Sequence, residues 1–186
     1  GSAYVANSLL ARCFGCMITS FIVAWLLSPQ VIKILSSKQM SQTIRERGPQ
    51  QHLAKKGTPT MGGIIIIATI LLNIILWADL SNRFVIIFLV ASLGYGAIGF
   101  YDDYLKIKHK SSAGISAMKK LCLQIVVAVV VTYSLYASAT TAAETSVFAP
   151  FLVKYSYNLG WLYIFFASFV IVGTSNAVNL TDGLDG

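Results

Sequence analysis

Charge is what this sequence has least of. Only 11% of its 186 residues are Asp, Glu, Lys or Arg, against about a quarter in a soluble domain of this size. Water is therefore excluded as the main solvent for most of the chain, and a 56% hydrophobic content with a mean hydropathy of +0.71 agrees. Acidic residues are the scarcest, seven against fourteen Lys and Arg, which leaves a net charge of +7. No basic patch is interleaved with aromatics, so no nucleic-acid partner is expected. Nearly all the bases fall between apolar stretches, where lipid headgroups and polyphosphate substrates are the natural contacts. Histidine is limited to His52 and His109, neither supported by neighbouring ligand types, and both are read as solvated surface. Cys13, Cys16 and Cys122 sit in apolar runs without His or acidic partners. The lone C-x-x-C is thus read as apolar thiols on lipid-facing helices rather than a metal or redox site. An initiator Met is absent too: Gly1 and Ser2 read as a cleavage scar, leaving 3–186 as the transmembrane domain, and the first apolar run is too long and too late for a signal peptide.

Long apolar runs are abundant. A helix crossing the hydrocarbon core needs about 20 mostly apolar residues, and five stretches approach that length: 11–35, 61–77, 84–101, 121–137 and 159–178. The expected fold is all-α, a polytopic bundle of five transmembrane helices. Lys and Arg collect in cytoplasmic loops. Lys38, Arg45, Arg47, Lys55 and Lys56 lie between the first two runs, and Lys106, Lys108, Lys110, Lys119 and Lys120 between the third and fourth. Those loops are expected inside, the loops at 79–83 and 138–158 outside, the N-terminus outside and 179–186 inside. Every unusual polar segment then falls on one face. In the third run Ser92, Gly94, Gly96 and Gly99 put small residues at helical spacing, which lets a neighbouring helix come close.

Three segments carry candidate chemistry. Asp102 and Asp103 are expected to end the third helix at the membrane edge, where carboxylates are costly and opposed by the helix dipole. A cation or basic partner is therefore required, with one aspartate facing the site and the other orienting a lysine or a metal-bound water. The run Asn176-Ala177-Val178-Asn179-Leu180-Thr181-Asp182-Gly183-Leu184-Asp185-Gly186 has two aspartates three residues apart, each followed by glycine. If helical, it puts both carboxylates on one face; as a loop, its glycines allow close approach to a nucleoside or phosphate. A capped turn is the plainer alternative. In Lys55-Lys56-Gly57-Thr58-Pro59-Thr60-Met61-Gly62-Gly63, lysines, hydroxyls and open amides precede the second helix, as an anion site at a helix start requires; a plain N-cap at Thr58 with Pro59 as the first helical residue is the alternative, and it is compatible with anion contact. The spacing is not that of a P-loop. Paired carboxylates suit Mg²⁺, which takes oxygen ligands and bridges phosphates.

Together these segments resemble the phospho-N-acetylmuramoyl-pentapeptide transferase family. The match runs over Lys56 to Gly63, over Gly99-Phe100-Tyr101-Asp102-Asp103-Tyr104, and over Asn176 to Gly186. The resemblance implies a Mg²⁺-dependent reaction of UDP-N-acetylmuramoyl-pentapeptide with undecaprenyl phosphate, giving lipid I and UMP at the cytoplasmic face of a bacterial inner membrane, with a homodimer as the implied assembly. It implies Asp102 and Asp103 as the catalytic pair and Lys106 and Lys120 near the phosphates. It also implies Lys55, Thr60, Asn179, Asp182, Gly183 and Asp185 around the nucleoside. Met118 departs from the pattern, standing where relatives often have arginine. The family is expected to carry about ten membrane helices, each needing its own ~20-residue run. This chain then corresponds to the N-terminal half, is expected to be inactive alone, and lacks the family's main metal ligand. The competing readings are a polyprenyl-phosphate N-acetylglucosamine-1-phosphate transferase and a non-enzymatic membrane module. A transporter would place its charges near the bilayer midplane, whereas here they lie at one edge.

Overall fold

A computed structural model describes residues 8–37, 61–109, 114–148 and 156–185, without the side chains of 182–185. Five α-helices are present among the described residues: α1 Leu9–Ser37, α2 Gly63–Trp77, α3 Arg83–Lys108, α4 Ala117–Ala137 and α5 Leu162–Asp185. Four are long and apolar enough to cross a membrane, and α2 is a shorter apolar helix. The chain is a helical, multi-pass membrane protein, as its composition requires. It divides into two compact units at the Ser116–Ala117 junction.

In the first unit α1 packs on α2 and α2 on α3. The Ser8 hydroxyl accepts from the Ala11 amide at 3.2 Å and opens α1. Pro29 sits inside α1 without ending it, although it removes one ladder donor. The α1–α2 seam is polar at its core. The Thr19 hydroxyl accepts from Trp77 Nε1 at 3.2 Å and donates to the Asn73 side-chain carbonyl, while Asn73 Nδ2 donates to Thr69 O at 2.8 Å. Arg12 Nε donates to Trp77 O at 2.6 Å, satisfying one of the orphan carbonyls at the end of α2. Gly15 lies against the Trp77 ring so closely that a Cβ would come within 2.6 Å of Cζ2. Between α2 and α3, Gly96 receives the Ile67 side chain, whereas Gly99 faces nothing within 4 Å. At Gly96 the small-residue stripe is thus used by a side chain rather than a backbone.

Two polar pairs define the second unit. Asn176 Nδ2 donates to Gln124 Oε1 at 2.9 Å, and the Thr132 and Ser168 hydroxyls share a hydrogen bond at 2.9 Å. The partners lie eight residues apart on each helix and run in opposite directions, so α4 and α5 are antiparallel and in unbroken register. Between them comes a 3-10 helix, Ala142–Thr145, and then β1, Ser146–Phe148, paired antiparallel with β2, Ser156–Asn158. Thr145 Oγ1 donates to Asn158 Oδ1 at 2.9 Å and ties the two together. Glu144 accepts from the Thr140 hydroxyl at 2.8 Å. Exposed apolar side chains cover α1 from Leu9 to Ile34, including Phe14, Phe21 and Trp25, as a lipid-facing helix requires.

Three boundaries differ from those expected. The third helix runs on to Lys108, so Asp102 and Asp103 lie inside it rather than at its end. The second begins at Gly63 behind an uncapped Gly62; Thr58 and Pro59, the alternative cap, lie outside the described residues. The last helix continues through Asp185, so the segment is neither an open loop nor a capped turn, and the Asp182 and Asp185 positions share one helical side.

Candidate active site

The aspartate pair is built from one helix and two backbone amides. Asp102 and Asp103 project from α3 at adjacent positions, about 100° apart, and Lys106 follows at the fourth and third residue, the spacing at which side chains meet. Its ammonium lies 2.7 Å from Asp102 Oδ2 and 3.0 Å from Asp103 Oδ1. The required basic partner is therefore Lys106. With Lys108 it also makes the last turn of α3 basic, which suits the negative end of the helix dipole.

The remaining carboxylate oxygens face backbone donors. The Ile115 amide donates to Asp102 Oδ1 at 2.8 Å. The Met61 amide donates to Asp103 Oδ2 at a longer 3.3 Å. Met61 is itself buried and held at φ 70°, a left-handed conformation costing a side-chain-bearing residue about 1–2 kcal/mol, so its amide is aimed by a strained turn. The two aspartates are unequal as a result. The Asp102 side chain is 10% exposed, while that of Asp103 keeps 31%. Among the described residues, two carboxylates share one ammonium here, and the Met61 contact on Asp103 Oδ2 is the longer of the two backbone contacts.

The other expected site residues lie elsewhere. Lys120 is half-buried in the first turn of α4, and Asn179 is exposed on α5. Extending the α4–α5 register sets Lys120 level with Leu180 and Met118 level with Asp182, so the expected phosphate lysine and the Asn179 to Gly183 run occupy the same end of one hairpin. The backbone is helical through Asp182, Gly183 and Asp185. Lys55, Thr60 and His52 lie outside the described residues. His109 caps α3 and is exposed, and the three cysteines are unpaired. Met61, Gly114 and Ile115 were not predicted as site residues, because they act through the backbone or the lack of a side chain. Gln124 did carry a signal, as a lone amide in an apolar run.

Residues 85–186, more than half of the chain, match the model of glycosyl transferase family 4. The chain belongs to glycosyl transferase family 4. Residues 55–67 separately match signature 1 of the phospho-N-acetylmuramoyl-pentapeptide transferases, in agreement with the resemblance carried by the three polar segments. In this family 4 protein the Met61 to Asp103 hydrogen bond joins the two matched regions directly, since Met61 falls in the signature and Asp103 in the family match.

Proposed function

We propose that this protein transfers phospho-N-acetylmuramoyl-pentapeptide from its UDP-linked donor to undecaprenyl phosphate, giving lipid I and UMP at the cytoplasmic face of a bacterial inner membrane. The observation that carries this reading is the Met61 amide on Asp103 Oδ2, which brings a residue of the signature segment to an aspartate pair whose charge Lys106 partly offsets. Family membership supports a membrane sugar-phosphate transferase, and the signature favours the muramoyl-pentapeptide donor.

The acceptor phosphate monoester has a second pKa of about 6, so it is already largely a dianion at neutral pH and needs no strong base. Its oxygen bonds to the sugar-bearing phosphorus while the bond from that phosphorus to the UMP oxygen breaks, and UMP leaves with the electron pair. Asp103 orients the incoming phosphate. Lys106 and Lys120 offset charge on the phosphates, and Lys55, Thr60, Asn179, Asp182, Gly183 and Asp185 hold the nucleoside. No group of three or more His, Cys, Asp or Glu is assembled among the described residues. Asp103 Oδ2, held among the described residues by the 3.3 Å Met61 contact, suits Mg²⁺, which binds through one or two carboxylates plus substrate phosphates. Bound there, Mg²⁺ would supply neutralisation of phosphate charge.

The test is transfer by the native enzyme in detergent, with undecaprenyl phosphate and either UDP-N-acetylmuramoyl-pentapeptide or UDP-N-acetylglucosamine. Release of UMP and a lipid-linked product with the first donor alone is expected. Product only with the second moves the assignment to the N-acetylglucosamine-1-phosphate transferases. Trapping phospho-aspartate at 102 or 103 with donor alone overturns direct attack.

A further inference from the structure

The two ends of the α4–α5 hairpin differ in kind. One end carries Lys119 and Lys120 in the first turn of α4, and neither 117–132 nor 170–186 contains an aromatic residue. At the other end Tyr133 is exposed on α4, and the exposed Trp161 meets Phe165 edge to face, ring centroids 5.8 Å apart, as α5 begins. Trp and Tyr concentrate where hydrocarbon meets headgroups, because each joins an apolar body to a polar tip.

The β1–β2 ribbon extends this aromatic end. Phe148 and Tyr157 are 53% and 66% exposed, and the register pairs Val147 with Tyr157 and Phe148 with Ser156. Successive pairs point to opposite faces, so each face of the ribbon offers one aromatic ring. A ribbon standing in water would be polar on at least one face. Yet from 146 to 158 the sequence has a single charge, Lys154, which lies outside the described residues. In the 3-10 helix before β1, Glu144 accepts from the Thr140 and Thr141 hydroxyls at 2.8 and 3.3 Å.

The ribbon is also tied to the start of α5. Asn158 Oδ1 accepts from the Thr145 hydroxyl at 2.9 Å and from the Gly160 amide at 2.8 Å, and the Leu159 amide donates to Thr145 O at 3.1 Å. Gly160 turns the chain at φ 50°. Four residues separate Tyr157 from Trp161, at most about 14 Å when fully extended, and the turn shortens that span. Tyr157 therefore stays within reach of the headgroups when Trp161 sits at their inner boundary.

We propose that the β1–β2 ribbon is seated among phospholipid headgroups, with Phe148 and Tyr157 meeting lipid from opposite faces, and that it fixes how deeply the α4–α5 hairpin sits. Lipid is the occupant because the surface continues that of α5, a helix long and apolar enough to cross a membrane, on which Phe165, Phe166 and Phe169 are exposed. Trp161 joins the two through its ring contact with Phe165. Nothing in this seating depends on the transferase reading.

The test places one nitroxide label at a time at Phe148→Cys, Tyr157→Cys and Phe165→Cys. It uses the native-length protein, its own cysteines replaced by Ala, in vesicles of phosphatidylcholine and phosphatidylglycerol. Collision with oxygen, which concentrates in lipid, and with a nickel chelate, which stays in water, gives the depth of each label. The label at 165 should read as hydrocarbon. Those at 148 and 157 should both read as the interfacial layer, about 5–8 Å thick on each side, with chelate collisions several-fold rarer than for a label in water. Chelate access equal to that in water at both positions overturns the seating, and so does lipid at one face with water at the other. Shielding from both reagents means that protein, a second copy or another segment, covers the ribbon, and overturns it as well. Should either variant not fold, Ser156→Cys and Val147→Cys report the same two faces.

Discussion

Asn176 on α5 donates its side-chain amide to the side-chain carbonyl of Gln124 on α4 at 2.9 Å, and Gln124 is only 3% exposed. In hydrocarbon a polar side chain without a partner is expensive, so this bond sets the rotation of α5 just before Asn179 and Asp182. Gln124→Leu is expected to cost about 1 kcal/mol of stability, the range measured for hydrogen bonds between membrane helices. Under the proposed role of residues 179–185 in holding the nucleoside, the donor KM should rise as well, because that run loses its rotational setting. Melting temperature and steady-state kinetics on the same sample check both parts, and an unchanged KM would detach the pair from the site.

At the opposite end of α2, Gly15 has no room for a side chain. The Trp77 ring atoms Cζ2 and Cζ3 lie 2.6 and 2.7 Å from where a Cβ would sit. The ring cannot retreat freely, since Nε1 donates to Thr19 and the Trp77 carbonyl accepts from Arg12. Gly15→Ala should therefore destabilise by about 1–3 kcal/mol, the usual cost of overpacking. A second change, Trp77→Phe, shortens the ring and should recover part of that loss. A neutral Gly15→Ala in a detergent melt would contradict the close fit.

Lys106→Met leaves two adjacent carboxylates without their ammonium. Breaking a fully buried pair costs about 3–5 kcal/mol. The Lys106 side chain is 26% exposed, so a loss of about 2 kcal/mol is expected, together with a fall in turnover of at least about 100-fold. Lys106→Arg keeps the charge but replaces a compact ammonium with a planar fork, and should restore stability more fully than rate. Melting and turnover measured side by side separate the two effects.

The expected orientation is open to labelling. With Cys13, Cys16 and Cys122 replaced by Ala, a cysteine at Asp79 should react with an impermeant maleimide in intact cells. One at His109 should react only after the membrane is opened. The reverse pattern would invert the topology and put the aspartate pair on the outer face.

The number and order of the helices were legible because apolar length alone dictates them. Their ends were less so, each for its own reason. Asp102 and Asp103 read as a helix end because two carboxylates oppose the dipole, yet Lys106 offsets them one turn later and the helix continues. Asp182-Gly183 carries turn chemistry, but the helical backbone runs through it to Asp185. The 3-10 helix and the three-residue strands between α4 and α5 are too short to show any periodicity. At the site, side-chain chemistry could be read from the sequence and backbone chemistry could not. Asp102, Asp103 and Lys106 announce themselves, whereas the amides of Met61 and Ile115 have no residue-type signature. Thr19, Asn73, Gln124, Thr132 and Ser168 were visible as polar interruptions of apolar runs, which tend to face other helices, though not as specific pairs.

Because α3 does not stop at the aspartates, it also acts as a ruler. Arg83, its first residue, and Asp103 are twenty residues apart on one continuous helix, about 30 Å of rise and close to one hydrocarbon thickness. The carboxylate is thus held at a fixed distance along a rigid rod whose start is set by Asn82, which caps the helix by accepting from the Phe84 amide at 2.9 Å. Under the proposed reaction the acceptor phosphate must come to that position, because α3 is unbroken at Asp103 and has no hinge there with which to follow it. Inserting a single residue anywhere in that span would carry the reactive pair about 1.5 Å along and 100° around.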